Sequence, residues 1–233
     1  MIEPKGSAPG GRSFRDWNEE MVQRYHPGAY HERSSLPVRA VERARTRQIV
    51  RLLDVLPQHR VLEVGVGAGN VLDAVPTGQR FGLDLSPSIL RDARLRLASR
   101  ATLLRGDAAL LPFKDGAFDR VLASEVLEHL PDPGTAVGEI ARVTRPGGVV
   151  VLSVPNERLI DRTKDLLSRA RLLRWLSSRD YQVPADMKDE WHLHAFDLET
   201  LRSVAAPHLR VERVVGVPHT LLPLRWVARC VPR

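Results

Sequence analysis

Two groups of residues in this chain of 233 have types and spacings that could do chemistry. The first is Glu63-x-Gly65-x-Gly67-x-Gly69, which follows the apolar pair Val61-Leu62 and leads into Asn70. An apolar run that ends in alternating glycines describes a buried strand, a sharp turn and the opening of a helix with free amides. Glycine belongs where a ligand must touch backbone that a Cβ would cover. Asp84 ends the next apolar stretch, Arg80 to Leu85, and lies 19 residues after Gly65. That separation suits one βαβ unit whose second strand presents a carboxylate to a ribose diol. The pattern points to a nucleoside-containing cofactor. Its third glycine comes one residue earlier than in the dinucleotide signature G-x-G-x-x-G, and Glu63 favours a ligand with positive charge over pyrophosphate. S-adenosylmethionine, a sulfonium that also carries an ammonium group, fits these features better than NAD. The competing reading is a βαβ turn that holds its glycines for packing alone.

The second group is Glu125, Glu128 and His129, spaced i, i+3, i+4, with His192 and His194 further on. On a helix the first three share a face. Two carboxylates with one or two imidazoles could hold a divalent ion such as Mg, Mn or Zn. Such an ion would polarise or deprotonate a hydroxyl beside a methyl donor. Without a metal, His129, His192 or His194 could act as general base, since an imidazole titrates near neutral pH. The bland alternative is a structural imidazole packed beside Trp191.

A frame for these residues is legible in the hydropathy pattern. Strands are expected near 60–64, 80–84, 102–105, 118–123 and 148–154. A helix from Pro37 to Leu56 carries the stripe Val38, Val41, Ile49, Leu52, Leu53 and Leu56. Ser86-Pro87 and Asp132-Pro133 supply N-cap and first-turn residues for the helices after the second and fourth strands. This alternation specifies an α/β fold, a doubly wound, mostly parallel sheet with helices on both faces. Its ligand site lies at the carboxyl ends of the strands. Residues 1–36 form an N-terminal segment, rich in Gly, Pro and Ser up to residue 13 and expected to be disordered there. Its remainder holds Trp17, Tyr25, Tyr30 and His31 without a clear period, and could cap substrate or cofactor. Residues 37–233 form the main domain. After Arg210 to Val217, the last 16 residues read as partly helical.

The intervening motifs place the chain in a family. Gly106-Asp107-Ala108 to Phe113, Phe118 to Ala123, Glu125 to Leu130 and Arg145-Pro146-Gly147-Gly148 follow the glycine turn in order. Together they resemble the class I S-adenosylmethionine-dependent methyltransferases, closest to the branch of ubiquinone and menaquinone biosynthesis enzymes, over roughly residues 40–215. The resemblance implies that Glu63 and the backbone of Gly65, Gly67 and Gly69 hold the methionine part of the cofactor. It implies Asp84 on the ribose hydroxyls, Leu85 against the adenine, Asp107 on the adenine amino group and the Ala108 amide on a ring nitrogen. Ser124 and Glu125 would lie near the sulfonium. Asp107 alone would read as a turn carboxylate. The small-RNA 2′-O-methyltransferases are similar at Glu125, Glu128, His129 and His194, which implies a metal on those four residues. The expected activity is methyl transfer to a small, lipophilic or natural-product-like acceptor, O-methylation ahead of C- or N-methylation. RNA 2′-O-methylation is the alternative, and a non-catalytic cofactor-binding subunit a third.

Composition bounds the rest. The net charge of +7 could mark an anionic partner, yet only four of the 35 basic residues are lysine and the arginines are spread throughout. Aromatic residues make up 5% of the chain, few for stacking on nucleic-acid bases. No run approaches the ~20 apolar residues of a membrane span, and Cys230 stands alone. A cytoplasmic protein is expected. Residues 155–196 exceed what a βα loop needs and read as an insertion. Leu159, Ile160, Thr163, Leu166, Leu167, Ala170 and Leu173 form its stripe, with seven basic residues between Arg158 and Arg179. Such a helix could close over a lipophilic substrate or touch the inner membrane face peripherally.

Overall fold

Four of the five residues of Arg60–Val64 (β1) are buried, because this strand lies at the centre of the sheet. In a computed structural model, described here for residues 13–25, 27–28, 34–169 and 191–233, β1 pairs in parallel with Gln79–Asp84 (β2) and Phe118–Ser124 (β4). Thr102–Arg105 (β3) extends the sheet beyond β2, and Thr144–Pro155 (β5) extends it beyond β4. Leu209–His219 (β6) and Leu222–Pro232 (β7) complete the order β3-β2-β1-β4-β5-β7-β6. The chain runs outward from β1 to β3 and then returns to β4, so a crevice opens at the carboxyl ends of β1 and β4. This is the doubly wound α/β fold that the sequence specifies.

Strands covered on both faces read as continuous apolar runs, and each face has its own helices. Leu36–Leu53 (α2), Asn70–Ala74 (α3) and Pro87–Leu97 (α4) cover one face through Ile49, Leu72 and Leu90. Pro133–Val143 (α5) and Leu198–Ala205 (α7) cover the other through Val137, Ile140 and Leu201. Both expected caps are formed: the Ile89 amide donates to Ser86 Oγ at 3.3 Å, and the Thr135 amide to Asp132 Oδ1 at 3.0 Å.

Two expectations are corrected. The last residues are not helical. They form β7, which enters antiparallel between β5 and β6 rather than at the sheet edge. Val227, Ala228 and Cys230 are fully buried there, and their burial against non-local strands outweighs the interspersed arginines. Residues 14–25, which show no clear period by eye, are a helix (α1, Phe14–Tyr25). Trp17, Met21, Val22 and Tyr25 fall on one side of it and pack with Ala68, Ile89, Trp191 and Leu193. Of residues 1–13, expected to be disordered, 1–12 lie outside the described residues, as do Tyr30 and His31; Ser13 precedes α1, and its Oγ accepts the Asp16 amide at 3.2 Å. The insertion opens as Glu157–Arg169 (α6). Residues 170–190, and the side chains of its stripe from Leu166 onward, also lie outside them. No described helix is long and apolar enough to cross a membrane.

Candidate active site

The glycine turn is built against the end of β2. The Gly65 and Val66 amides both donate to the Leu83 carbonyl, at 2.8 and 2.9 Å. Gly65 has φ +70°, and a Cβ there would sit 2.3 Å from Val126 Cγ2. Gly67 has φ +52° and nothing within 4 Å of an added Cβ, so it borders open space. Its amide donates to Asp84 Oδ2 at 2.9 Å, and the Ser86 amide to Oδ1 at 3.0 Å. Asp84 is therefore fixed by backbone on both oxygens, each of which keeps a lone pair for a hydroxyl donor. Burial pushes its carboxyl upward against the lowering effect of those amides.

Glu63 is 2% exposed and one of its oxygens has no hydrogen-bond partner among the described residues. Burial lifts its carboxyl to about 8, despite the opposing charge of Arg45. An orphaned acid of this kind is relieved by a cation or a hydrogen-bond donor. Asp107 serves two purposes. It accepts the Ala109 amide at 2.9 Å as a turn residue, and with Leu85 and Ala108 it lines a cavity of about 330 Å³. That cavity is roofed by Phe14, Asn18, Val22 and Tyr25 of α1. The roof is tied down where Ser86 Oγ donates to Glu19 Oε2 at 2.5 Å.

The opposite half of the cavity departs from the expected helix face. Glu125 adopts a left-handed backbone, φ +56°, and only Leu127–His129 coils, as a single 3₁₀ turn. Glu125 therefore does not share a helical face with Glu128 and His129. Glu125 Oε1 accepts from Ser153 Oγ at 2.7 Å, and Oε2 meets Arg225 Nε at 2.6 Å. Ser124 Oγ accepts from Arg45, itself paired with Glu42 at 2.5 Å. Both Ser124 and Glu125 still line the cavity.

Glu128, His129 and His192 instead converge, with one ligand atom of each within 4.8 Å of the others. The expected metal set of Glu125, Glu128, His129 and His194 is thus not brought together. Glu125 is held by Arg225, and His194 Nε2 hydrogen-bonds the Pro131 carbonyl at 3.2 Å. His194, 7% exposed, does not line the cavity and is not placed to act on a ligand there.

Each remaining histidine has a distinct environment. His129 Nδ1 lies 3.2 Å from the Trp191 carbonyl, a contact that needs Nδ1 protonated. Burial and the neighbouring His192 push His129 down to about 3, so it stays neutral. His192 Nδ1 lies 2.6 Å from Oε1 of Glu157, which opens α6 and is 4% exposed. Sequence reasoning missed Glu157, Arg45 and Arg225. An acid opening a helix and an arginine within a strand look ordinary until the fold carries them to the cavity wall.

Known proteins share this frame. A family model described as a methyltransferase domain matches residues 62–152. The ubiquinone biosynthesis O-methyltransferase of Xanthomonas oryzae is 30% identical over 173 residues, which span 63% of this chain and 72% of that one. The chain belongs to the class I S-adenosylmethionine-dependent methyltransferases. Methyltransferase GfsG of Streptomyces halstedii is 36% identical over 137 residues, 55% of this chain. The chain spans about half the length of that relative, 49%. The crystal structure of an S-adenosylmethionine-dependent methyltransferase from Mesorhizobium loti shares the fold, with a TM-score of 0.62 at 17% identity over 82% of this chain and 98% of that one.

S-adenosylmethionine is the cofactor of this family, and the site fits it: orphaned Glu63 suits a cation and the open face at Gly67 suits close approach. Two outcomes are expected. Gly65→Ala forces both a left-handed alanine and a clash with Val126, together worth about 2–4 kcal/mol. Thermal denaturation should show a melting point lower by roughly 5–15 °C; an unchanged one would mean the turn relaxes freely. Second, burial pushes the Glu63 carboxyl up to about 8, which favours its protonated form at neutral pH before the cofactor binds. A bound cation favours the ionised form, so binding releases a proton, and affinity climbs with pH until about 8 before levelling. Calorimetry in buffers of different ionisation enthalpy reads the release. Glu63→Gln should remove it, while protons released by the ligand itself would persist.

Proposed function

We propose that the protein transfers the methyl group of S-adenosylmethionine to a hydroxyl of a small acceptor with an apolar body. His192 is the general base in this reading, and Glu157 the residue that positions it. One observation carries the assignment. His192 lines the cavity with Nδ1 at 2.6 Å from the buried Glu157 carboxylate. That contact fixes the Nδ1–H tautomer and leaves Nε2 as acceptor, the arrangement that lets a carboxylate stabilise an imidazolium as it forms. His129 is the weaker candidate because protonating it is costly at about 3. The name of the Xanthomonas O-methyltransferase agrees with a hydroxyl acceptor.

The bound cofactor supplies an activated methyl on a sulfonium. The chain contributes alignment and exclusion of water, worth up to ~7–11 kcal/mol in favourable cases. Val22 and Tyr25 of α1, with Trp191, wall off the solvent side. His192 takes the hydroxyl proton as the oxygen attacks, and Glu157 balances the resulting charge.

A second reading has a specific observation behind it. Glu128, His129 and His192 could hold a divalent cation that lowers the hydroxyl pKa in place of a base. Protein dialysed against a chelator would then lose turnover and regain it with Mg, Mn or Zn.

Methyl-labelled S-adenosylmethionine, incubated with the protein and an extract of its source, tests the acceptor class. Label entering the organic phase supports a small acceptor with an apolar body. Label entering RNA would replace this reading with RNA 2′-O-methylation.

A further inference from the structure

We propose that the acceptor half of the cavity recognises a protonated amine, so that the methylated hydroxyl belongs to an amine-bearing molecule rather than to an acid. The inference rests on the proposed function, because it takes this half of the cavity as the acceptor site. Most charged groups on the wall are already committed. Glu42 is paired with Arg45 at 2.5 Å, and Glu125 with Arg225 at 2.6 Å. Glu157 is committed to His192, Asp161 of α6 also has a partner, and Glu63, Asp84 and Asp107 lie on the cofactor side.

Glu128 is left. It is 1% exposed, lines the cavity and has one carboxyl oxygen without a hydrogen-bond partner among the described residues. A buried, unsatisfied oxygen costs free energy until a donor arrives. An ammonium group brings three donors and a positive charge, which would draw out the ionised form of a carboxyl that burial and the neighbouring Glu125 hold well above the usual range.

The adjoining wall is aromatic. Tyr25 and Trp191 stack with ring centroids 5.7 Å apart, and His129 lies 4.7 Å from Trp191. The faces of these rings meet one another, and Arg24 lies over the Tyr25 ring, so they act here as an apolar wall that excludes water from Glu128. The Trp191 indole N–H is also buried without an acceptor among the described residues, so an acceptor oxygen would complete it. An anionic group finds the reverse. The two arginines of the described wall, Arg45 and Arg225, are already ion-paired, and a carboxylate or phosphate would lie beside Glu128. Amine on Glu128 and oxygen towards His192 together orient one molecule at two points.

Benzylammonium, benzyl alcohol and benzoate share a ring and differ in charge. Their binding to protein saturated with S-adenosylhomocysteine can be measured by calorimetry at pH 7, with a chelator present to exclude divalent cations. Benzylammonium is expected to bind at least tenfold more tightly than benzoate, with benzyl alcohol between. Glu128→Gln, checked for folding by its affinity for S-adenosylhomocysteine, should bring benzylammonium down to the level of benzyl alcohol. Benzoate binding as well as benzylammonium, a preference that survives in Glu128→Gln, or no binding by any of the three would each overturn the proposal. If S-adenosylhomocysteine itself fails to bind the unaltered protein, the cofactor assignment falls first, and the two failures are told apart.

Discussion

Asp84→Ala should weaken S-adenosylmethionine binding by about 10²- to 10⁴-fold. Two losses combine. Charge-assisted hydrogen bonds to the ribose hydroxyls contribute about 1.5–3 kcal/mol each, and a factor of ten corresponds to about 1.4 kcal/mol. Asp84 also holds the turn, since the Gly67 and Ser86 amides donate to its two oxygens at 2.9 and 3.0 Å. Without it, Gly67 loses the contact that fixes the open side of the glycine turn. Asp84→Asn keeps one acceptor oxygen but cannot serve both amides and both hydroxyls, so an intermediate loss is expected. Calorimetry with cofactor and purified protein reads both variants. Unchanged affinity in Asp84→Ala would mean that the cofactor is not seated at the end of β2, and the account of the cavity would have to be rebuilt.

What the sequence made legible follows a physical line. The central strands β1, β4 and β5 are largely buried, so each appears as an apolar run, and the residues at the carboxyl ends of the strands are the ones presented to the crevice. Glu63, Asp84 and Asp107 were readable for that reason, as were the caps at Ser86 and Asp132. The acceptor half was harder to read because its geometry is made by contacts distant in sequence. Glu125 looks like the first residue of a helix face, yet Ser153 and Arg225 hold it in a left-handed turn. His194 looks like a better ligand than His192 by resemblance, but the chain turns its imidazole to the Pro131 carbonyl. Glu157 pairs with a histidine 35 positions away, a link that no local pattern carries. The helix α1 was obscured for a different reason. Its four buried residues sit among charges, and its apolar side faces the ligand loops rather than the main core.

The same distant contact sets up the largest effect expected on turnover. His192→Ala should lower kcat by about 10²- to 10⁴-fold, the usual contribution of a positioned general base, with cofactor affinity unchanged. Glu157→Gln leaves the imidazole in place but replaces a charged acceptor by a neutral amide, so the imidazolium that forms during transfer loses its counter-charge. A smaller fall in kcat is expected there, about 10- to 100-fold, with KM for the acceptor little altered. Glu157→Asp should recover part of it, which a merely structural role would not predict. Both effects are measurable with the acceptor that takes up labelled methyl. His129 separates the base from the metal. If His192 acts as a base, His129→Gln, which can still donate to the Trp191 carbonyl, costs far less than His192→Ala. If Glu128, His129 and His192 hold a cation, removing either imidazole removes a ligand, and the two variants fall together and respond to added metal. Equal loss without a metal response would fit neither arrangement, and would move the base to a group that His129 and His192 both support.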